Sequence, residues 1–309
     1  MAYRQLIEIF SLKKVFIASL AFISFGALAD FDFYGKINVS LEDEDLSTSS
    51  NTEYKNNASR IGLKGSYEIS PLIKLSFQIE EEIDPTDFRA DGDKVFKERN
   101  TFIAISGDFG KLFTGTHDTA FKTSQLKVDL FNDTRADIKY ILHGENRMNS
   151  FVGYTSPDFI EGLNVTINSI SQTSGNGESM ALNYSSNNMK ASFAVEQNLK
   201  GYDGERFAIM LPLEELDLGL LYQSSKKLSS GKSYSGRVVS MKRKISNKGS
   251  IYIQNAESDM KIMSGSQNSI GYSHKINTNT KAFAHFSNLK KEDNVGDATF
   301  TSIGFEHKF

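Results

Sequence analysis

The 309 residues contain no cysteine, no tryptophan and only 4 prolines. Without cysteine there is no disulfide framework, and neither a CxxC redox pair nor a Cys/His zinc site can be built. The mean hydropathy is −0.36, which leaves no room for a bundle of membrane helices. Charge of one sign is also missing: the net charge is −3, and no basic domain offers itself to nucleic acid. What the chain does have is 23 Phe, 12 Tyr and 23 Gly, a composition suited to twisted β-structure.

The N-terminus carries Lys13 and Lys14, then an apolar run from Val15 to Leu28 closing on Ala27-Leu28-Ala29. A run shorter than the roughly 20 residues of a spanning helix, followed at once by a small-residue site, reads as a cleaved secretory signal peptide over residues 1–29. Removing Arg4, Lys13, Lys14 and Glu8 with it leaves 32 basic and 37 acidic residues, net −5, over residues 30–309.

From Phe31 onward the chain alternates with period two. Phe31, Phe33, Gly35, Ile37, Val39 and Leu41 fall on one face of the first segment; Asp32, Tyr34, Lys36, Asn38, Ser40 and Glu42 fall on the other. Sixteen such segments of about 9–14 residues follow one another, close to the length that crosses a bilayer at a tilt. Tight turns, such as Ser70-Pro71-Leu72 and Asn247-Lys248-Gly249, alternate with longer polar links, expected near 45–56, 85–96, 119–148, 174–178, 201–204, 229–231, 261–265 and 293–297. An even strand count with turns on one rim and loops on the other predicts an all-β fold, a transmembrane antiparallel β-barrel with apolar residues outward and a wet interior. A soluble β-sandwich would also alternate, but it has no need of membrane-spanning repeats.

Several segments, in order, resemble the general diffusion porins of Gram-negative bacteria. They are Phe33-Tyr34-Gly35-Lys36, Ser59-Arg60-Ile61-Gly62, Arg99-Asn100-Thr101-Phe102-Ile103, Gly107-Asp108-Phe109-Gly110-Lys111-Leu112, Thr114-Gly115-Thr116-His117-Asp118-Thr119, Arg147-Met148-Asn149-Ser150 and the terminal Phe309. The resemblance implies a homotrimer of sixteen-stranded barrels in the cell outer membrane, among its lipids and lipopolysaccharide. It implies a passive channel for ions and small hydrophilic solutes, with no cofactor. It also implies a third loop, Ala120 to Asn146, folded into the lumen. Arg60, Arg99 and Arg147 then fall in a basic wall, which inward Lys36 and Lys64 join by alternation, and Phe309 resembles the signal read by the barrel-assembly machinery. Two departures stand out: Thr116 replaces a frequent Arg, and the third loop lacks the Pro-Glu-Phe-Gly signature. A substrate-specific channel and a surface adhesin or scaffold barrel are the alternative functions.

Within the third loop Asp129, Asp133 and Asp137 recur every fourth residue, and a short helical turn would set them on one face opposite that wall, with Glu145 nearby. The residues Asp87, Asp91 and Glu98 fit an EF-hand spacing, but Arg89 stands where a carboxylate belongs and the flanks read as strands, leaving at most a surface cation loop. The five histidines show no metal spacing, and neither a G-x-S-x-G elbow nor a P-loop occurs, so an enzyme is not indicated. The outward glycines Gly35 and Gly65 are expected to leave notches for a neighbouring protomer.

Overall fold

The computed structural model describes residues 30–46, 49–87, 96–261, 265–291 and 297–309. The expected leader, residues 1–29, and Arg89 and Asp91 lie outside the described residues. The first half of the barrel comprises β1 (Asp30–Leu46), β2 (Ser49–Asn56 continued by Arg60–Ser70), β3 (Ile73–Ile83), β4 (Phe96–Glu98 continued by Thr101–Gly107), β5 (Gly110–Asp118), β6 (Arg147–Thr155), β7 (Leu163–Ile170) and β8 (Gly177–Ser185). The second half comprises β9 (Lys190–Leu199), β10 (Tyr202–Pro212), β11 (Leu216–Lys227), β12 (Ser233–Lys244), β13 (Gly249–Ser258), β14 (Gly265–Lys275), β15 (Thr280–Lys291) and β16 (Ala298–Lys308). Each strand pairs antiparallel with the next, and β1 pairs with β16 from Leu46↔Ala298 to Lys36↔Lys308. The sixteen-strand sheet is therefore closed and leaves no unpaired edge to lipid.

Alternation sorts the two faces as expected. Lys36, Asn38, Ser40 and Glu42 are buried toward the lumen while Phe33 and Leu41 are exposed outward, and the same division runs round the barrel through Ile103, Val152, Phe193, Leu220, Ile270 and Ile303. Two of the expected long links are instead short. The polar residues near 45–56 continue the β1–β2 ladder to Leu46↔Ser49, a hairpin standing in water where both faces can be polar. Near 201–204, Leu199 pairs with Tyr202 around Lys200 and Gly201, both left-handed at φ 51° and 84°. The interruptions of β2 and β4 fall beside Arg60 and Arg99. At the first, Ala58 has φ 54° and Ser59 Oγ takes the Asn38 N–H at 2.9 Å; at the second, Arg99 N–H reaches Glu80 O at 2.9 Å. Such breaks re-aim side chains, here toward the lumen.

The outward notches are filled from within the chain. A Cβ on Gly35 would lie 2.3 Å from Phe309 Cζ, and one on Gly65 2.7 Å from the Phe77 ring. The terminal residue also closes the seam through Gly35 N–H to Phe309 O (2.9 Å) and Phe309 N–H to Gly35 O (3.1 Å), and His307 stacks on its ring at 6.2 Å. These glycines therefore seat aromatic rings of the same barrel, and no notch is left there for a second protomer. Gly35→Ala is expected to displace the Phe309 ring and cost about 1–3 kcal/mol, read as earlier heat conversion of the folded band on semi-native gels.

Candidate constriction site

The residues from Thr119 to Asn146 turn inward between β5 and β6. Only two short helical turns form, α1 (Ala120–Thr123), capped by Thr119, and a 3₁₀ turn (Ile138–Tyr140), capped by Asp137. The loop lies against the inner wall of β7–β16. Val128, Ile138, Ile141 and Leu142 bury completely against wall residues including Leu221, Val238, Ala256 and Phe300. Polar wall side chains take up the loop's backbone: Ser179 Oγ accepts from Phe121 N–H (2.8 Å), and Gln254 Oε1 from Leu130 N–H (2.8 Å).

The strongest anchor is Arg206 on β10, which is fully buried. Its guanidinium meets Glu145 at 2.8 Å, donates to Phe121 O at 3.1 Å, His143 O at 3.2 Å and Gln223 Oε1 at 2.6 Å, and lies 4.4 Å above the Phe121 ring. Burial raises the Glu145 carboxyl, and Arg206 opposes that shift. Glu145 thus ties the loop to the far wall, while it also borders the cavity shared with Arg60, Arg99 and Arg147.

The three aspartates do not share one face, because the segment between them is irregular and Asp133 is left-handed at φ 69°. Asp129 is buried and turned toward the wall, accepting from Phe131 N–H (3.0 Å), Ile138 N–H (3.2 Å) and Gln254 Nε2 (3.3 Å). Burial, then the charge of Asp137, pushes its carboxyl well above the ordinary range. Asp137, also buried, accepts from Asp133 N–H at 2.9 Å and Lys139 N–H at 2.7 Å. Both shape the loop. Asp133 alone crosses to the opposite wall, 2.9 Å from Lys36 Nζ and 3.2 Å from Arg60 Nη2. Burial would raise its carboxyl, but Lys36 and Arg60 outweigh burial and hold it below the usual aspartate value.

The opposing wall is not purely basic. Arg99 binds Glu80 (2.7 Å) and Glu82 (2.8 Å), and Arg147 binds Asp118 (3.0 Å), all from the same side of the barrel. Lys64 sits nearer the turn rim, paired with Asp32 at 2.9 Å and apart from the loop aspartates. Alternation could have found Glu80, Glu82 and Arg206, since each lies on the polar or inward face of its strand. Between loop and wall remains a water-accessible cavity of about 920 Å³, lined among others by Arg60, Glu82, Arg99, Asp133, Arg135 and Arg147. Of the surface cation loop, Glu98 faces this lumen and accepts from Thr116 Oγ1 at 3.0 Å. Among the described residues no group of His, Cys, Asp or Glu is arranged to hold a metal ion.

A closed sixteen-strand barrel, apolar without and polar within, whose lumen is narrowed by an inward loop, defines a loop-constricted transmembrane β-barrel. The chain belongs to the Gram-negative porin family, whose model matches residues 17–294. The major outer membrane protein P.IB of Neisseria sicca is 29% identical over 162 residues, 48% of this chain and 44% of that protein, so the chain matches less than half the length of this relative. The fold is shared with the anion-selective porin from Comamonas acidovorans, with TM-score 0.80 and 19% identity over 91% of this chain and 100% of that one. It is shared too with Salmonella typhi OmpF, solved in complex with daunomycin, with TM-score 0.72 and 14% identity over 90% and 97% of the two chains.

Proposed function

We propose that this chain is an outer-membrane porin, a trimeric water-filled channel for passive diffusion of ions and small hydrophilic solutes, and not an enzyme. The observation that carries the reading is the open cavity between the inward loop and the polar wall of a closed barrel. Arg60, Arg99 and Arg147, with Lys36, form the cationic side of the narrowing, and Asp133 the anionic side. A planar-bilayer recording of the refolded chain tests it. A large ohmic conductance, unaffected by millimolar sugars, is the expected result; absence of conductance from correctly folded protein overturns the reading, and block by one solute class points to a specific channel.

Biogenesis follows from the seam. Because Phe309 closes the β1–β16 junction on Gly35, we expect the barrel-assembly machinery to read this end of the chain. Deleting Phe309 is expected to lower abundance in the outer-membrane fraction severalfold, and a normal level would reject the role.

A further inference from the structure

Below the constriction, toward the rim of short turns, the inner wall carries lysines that the function proposed above does not use. On β12 Lys242 stands inward opposite Asp217 of β11, and it lies within electrostatic reach of Lys127, Lys275 and Lys281. Lys275 and Lys281 face each other directly across β14 and β15. Lys127 descends from above: the neighbouring Val128 Cα lies 3.3 Å from where a Cβ on Gly219 would be, and Gly219 and its partner Ser240 are one inward step above Asp217 and Lys242. The carboxylates within this group are Asp217 and Glu306, the latter 3.3 Å from Lys281 and 3.5 Å from Lys308. Five ammonium groups therefore surround two carboxylates. Among the described residues Lys127, Lys242 and Lys275 form no close ion pair, and the carboxylate within electrostatic reach of Lys242 is Asp217.

Like charges placed directly opposite in neighbouring strands are destabilising, so Lys275 facing Lys281, in a cluster with more lysines than carboxylates, is retained at a cost. The cavity at the constriction is more nearly balanced, its cations interleaved with carboxylates that include Glu42, Glu82, Glu98 and Asp118. A multivalent anion thus finds a larger excess of cations over carboxylates beside Lys242 than in that cavity. Tyr252, opposite Lys242 on β13, adds a ring with a hydroxyl to the same stretch of wall.

The geometry points to a subsite for small multivalent oxyanions on the turn side of the constriction, formed by Lys127, Lys242, Lys275 and Lys281. Such an anion is held by several ammonium groups at once and detains there the current that monovalent ions carry freely. The inference extends the channel reading, since it gives that lumen a preferred solute charge.

Inorganic pyrophosphate is the probe. In bilayers holding the refolded chain, pyrophosphate added on the turn side is expected to reduce the chloride current. K242Q/K275Q/K281Q is expected to raise the half-blocking concentration at least about tenfold, a factor worth about 1.4 kcal/mol. K242R/K275R/K281R, which keeps the charges, retains the block and shows that the lumen tolerates substitution. Titration calorimetry of the refolded protein with pyrophosphate reads the same site without any current, so a silent channel overturns the porin reading while calorimetry still decides the subsite. Equal block in the native and glutamine proteins, or no binding heat with the native protein, overturns the subsite.

Discussion

Replacing Arg206 by methionine is expected to free the inward loop while leaving the sixteen-strand barrel intact, giving a larger and noisier open-channel current and a lower heat-conversion temperature. The side chain fills its site through the Glu145 ion pair at 2.8 Å, two loop carbonyls and the Gln223 amide oxygen, with no exposure to solvent. Methionine occupies much of the same volume but leaves the Glu145 carboxylate buried without its counter-charge. Breaking a buried pair from one side costs about 3–5 kcal/mol, more than hydrophobic contacts of the loop can absorb without rearrangement. The loop has its own apolar seat in Val128, Ile138, Ile141 and Leu142, so the barrel is expected to fold. R206M/E145Q removes the orphaned charge as well and is expected to recover most of the heat stability. If R206M keeps native current noise and native heat conversion, the loop is held by its apolar seat alone.

Much of this barrel is legible in the sequence because a strand between lipid and water must alternate, and alternation needs no tertiary information. Phe33 and Leu41 outward with Lys36 and Glu42 inward follow from solvent alone. The turns are legible for the same reason, as are the cationic positions Arg60 and Arg99. Their re-aiming by the breaks in β2 and β4 is not, since Ala58 at φ 54° is an unfavourable residue for its conformation and carries no signal in composition. The inward loop shows where local reasoning stops. Every-fourth spacing of Asp129, Asp133 and Asp137 suggests a helical face, but the wall decides the path: Gln254 takes up Leu130 N–H and Asp129, Arg206 takes up Phe121 O and His143 O, and the segment is left irregular. Arg206 itself stands between Gly204 and Ala208 on the inward side of β10, a long cation among small residues where a loop backbone has room to approach. Gly35 and Gly65 were misleading in the opposite sense, since a gap in the pattern of outward side chains is here filled by a neighbouring ring.

Selectivity in turn is expected to depend on one aspartate of the three. Asp133→Asn is expected to move the reversal potential in a salt gradient toward anions, while Asp129→Asn leaves it in place. Asp133 is the loop carboxylate within ion-pair distance of Lys36 and Arg60, and its removal leaves two cations at the narrowing without their partner. A unit charge about 4 Å from a passing ion is worth about 1 kcal/mol even in bulk water, roughly a fivefold change in local ion occupancy. The shift is expected to be largest at low ionic strength and to fade in molar salt, where the screening length drops to about 3 Å. Asp129 is already biased toward its neutral form by burial and by Asp137, and its contacts are within the loop and to Gln254, so the amide replaces a group that contributes little charge to the lumen. Acid provides a second test. The Asp133 carboxyl is held below its ordinary value, so its ion pairs contribute fully above the unfolded-chain value and are lost as pH falls through the lower, folded one. The part of the selectivity that Asp133 supplies is therefore expected to hold on acidification past the ordinary aspartate range and only then turn toward anions, whereas in Asp133→Asn this acid step is absent. A reversal potential that is the same in Asp133→Asn and the native channel at low salt would place the selectivity filter away from the Lys36–Asp133–Arg60 contact.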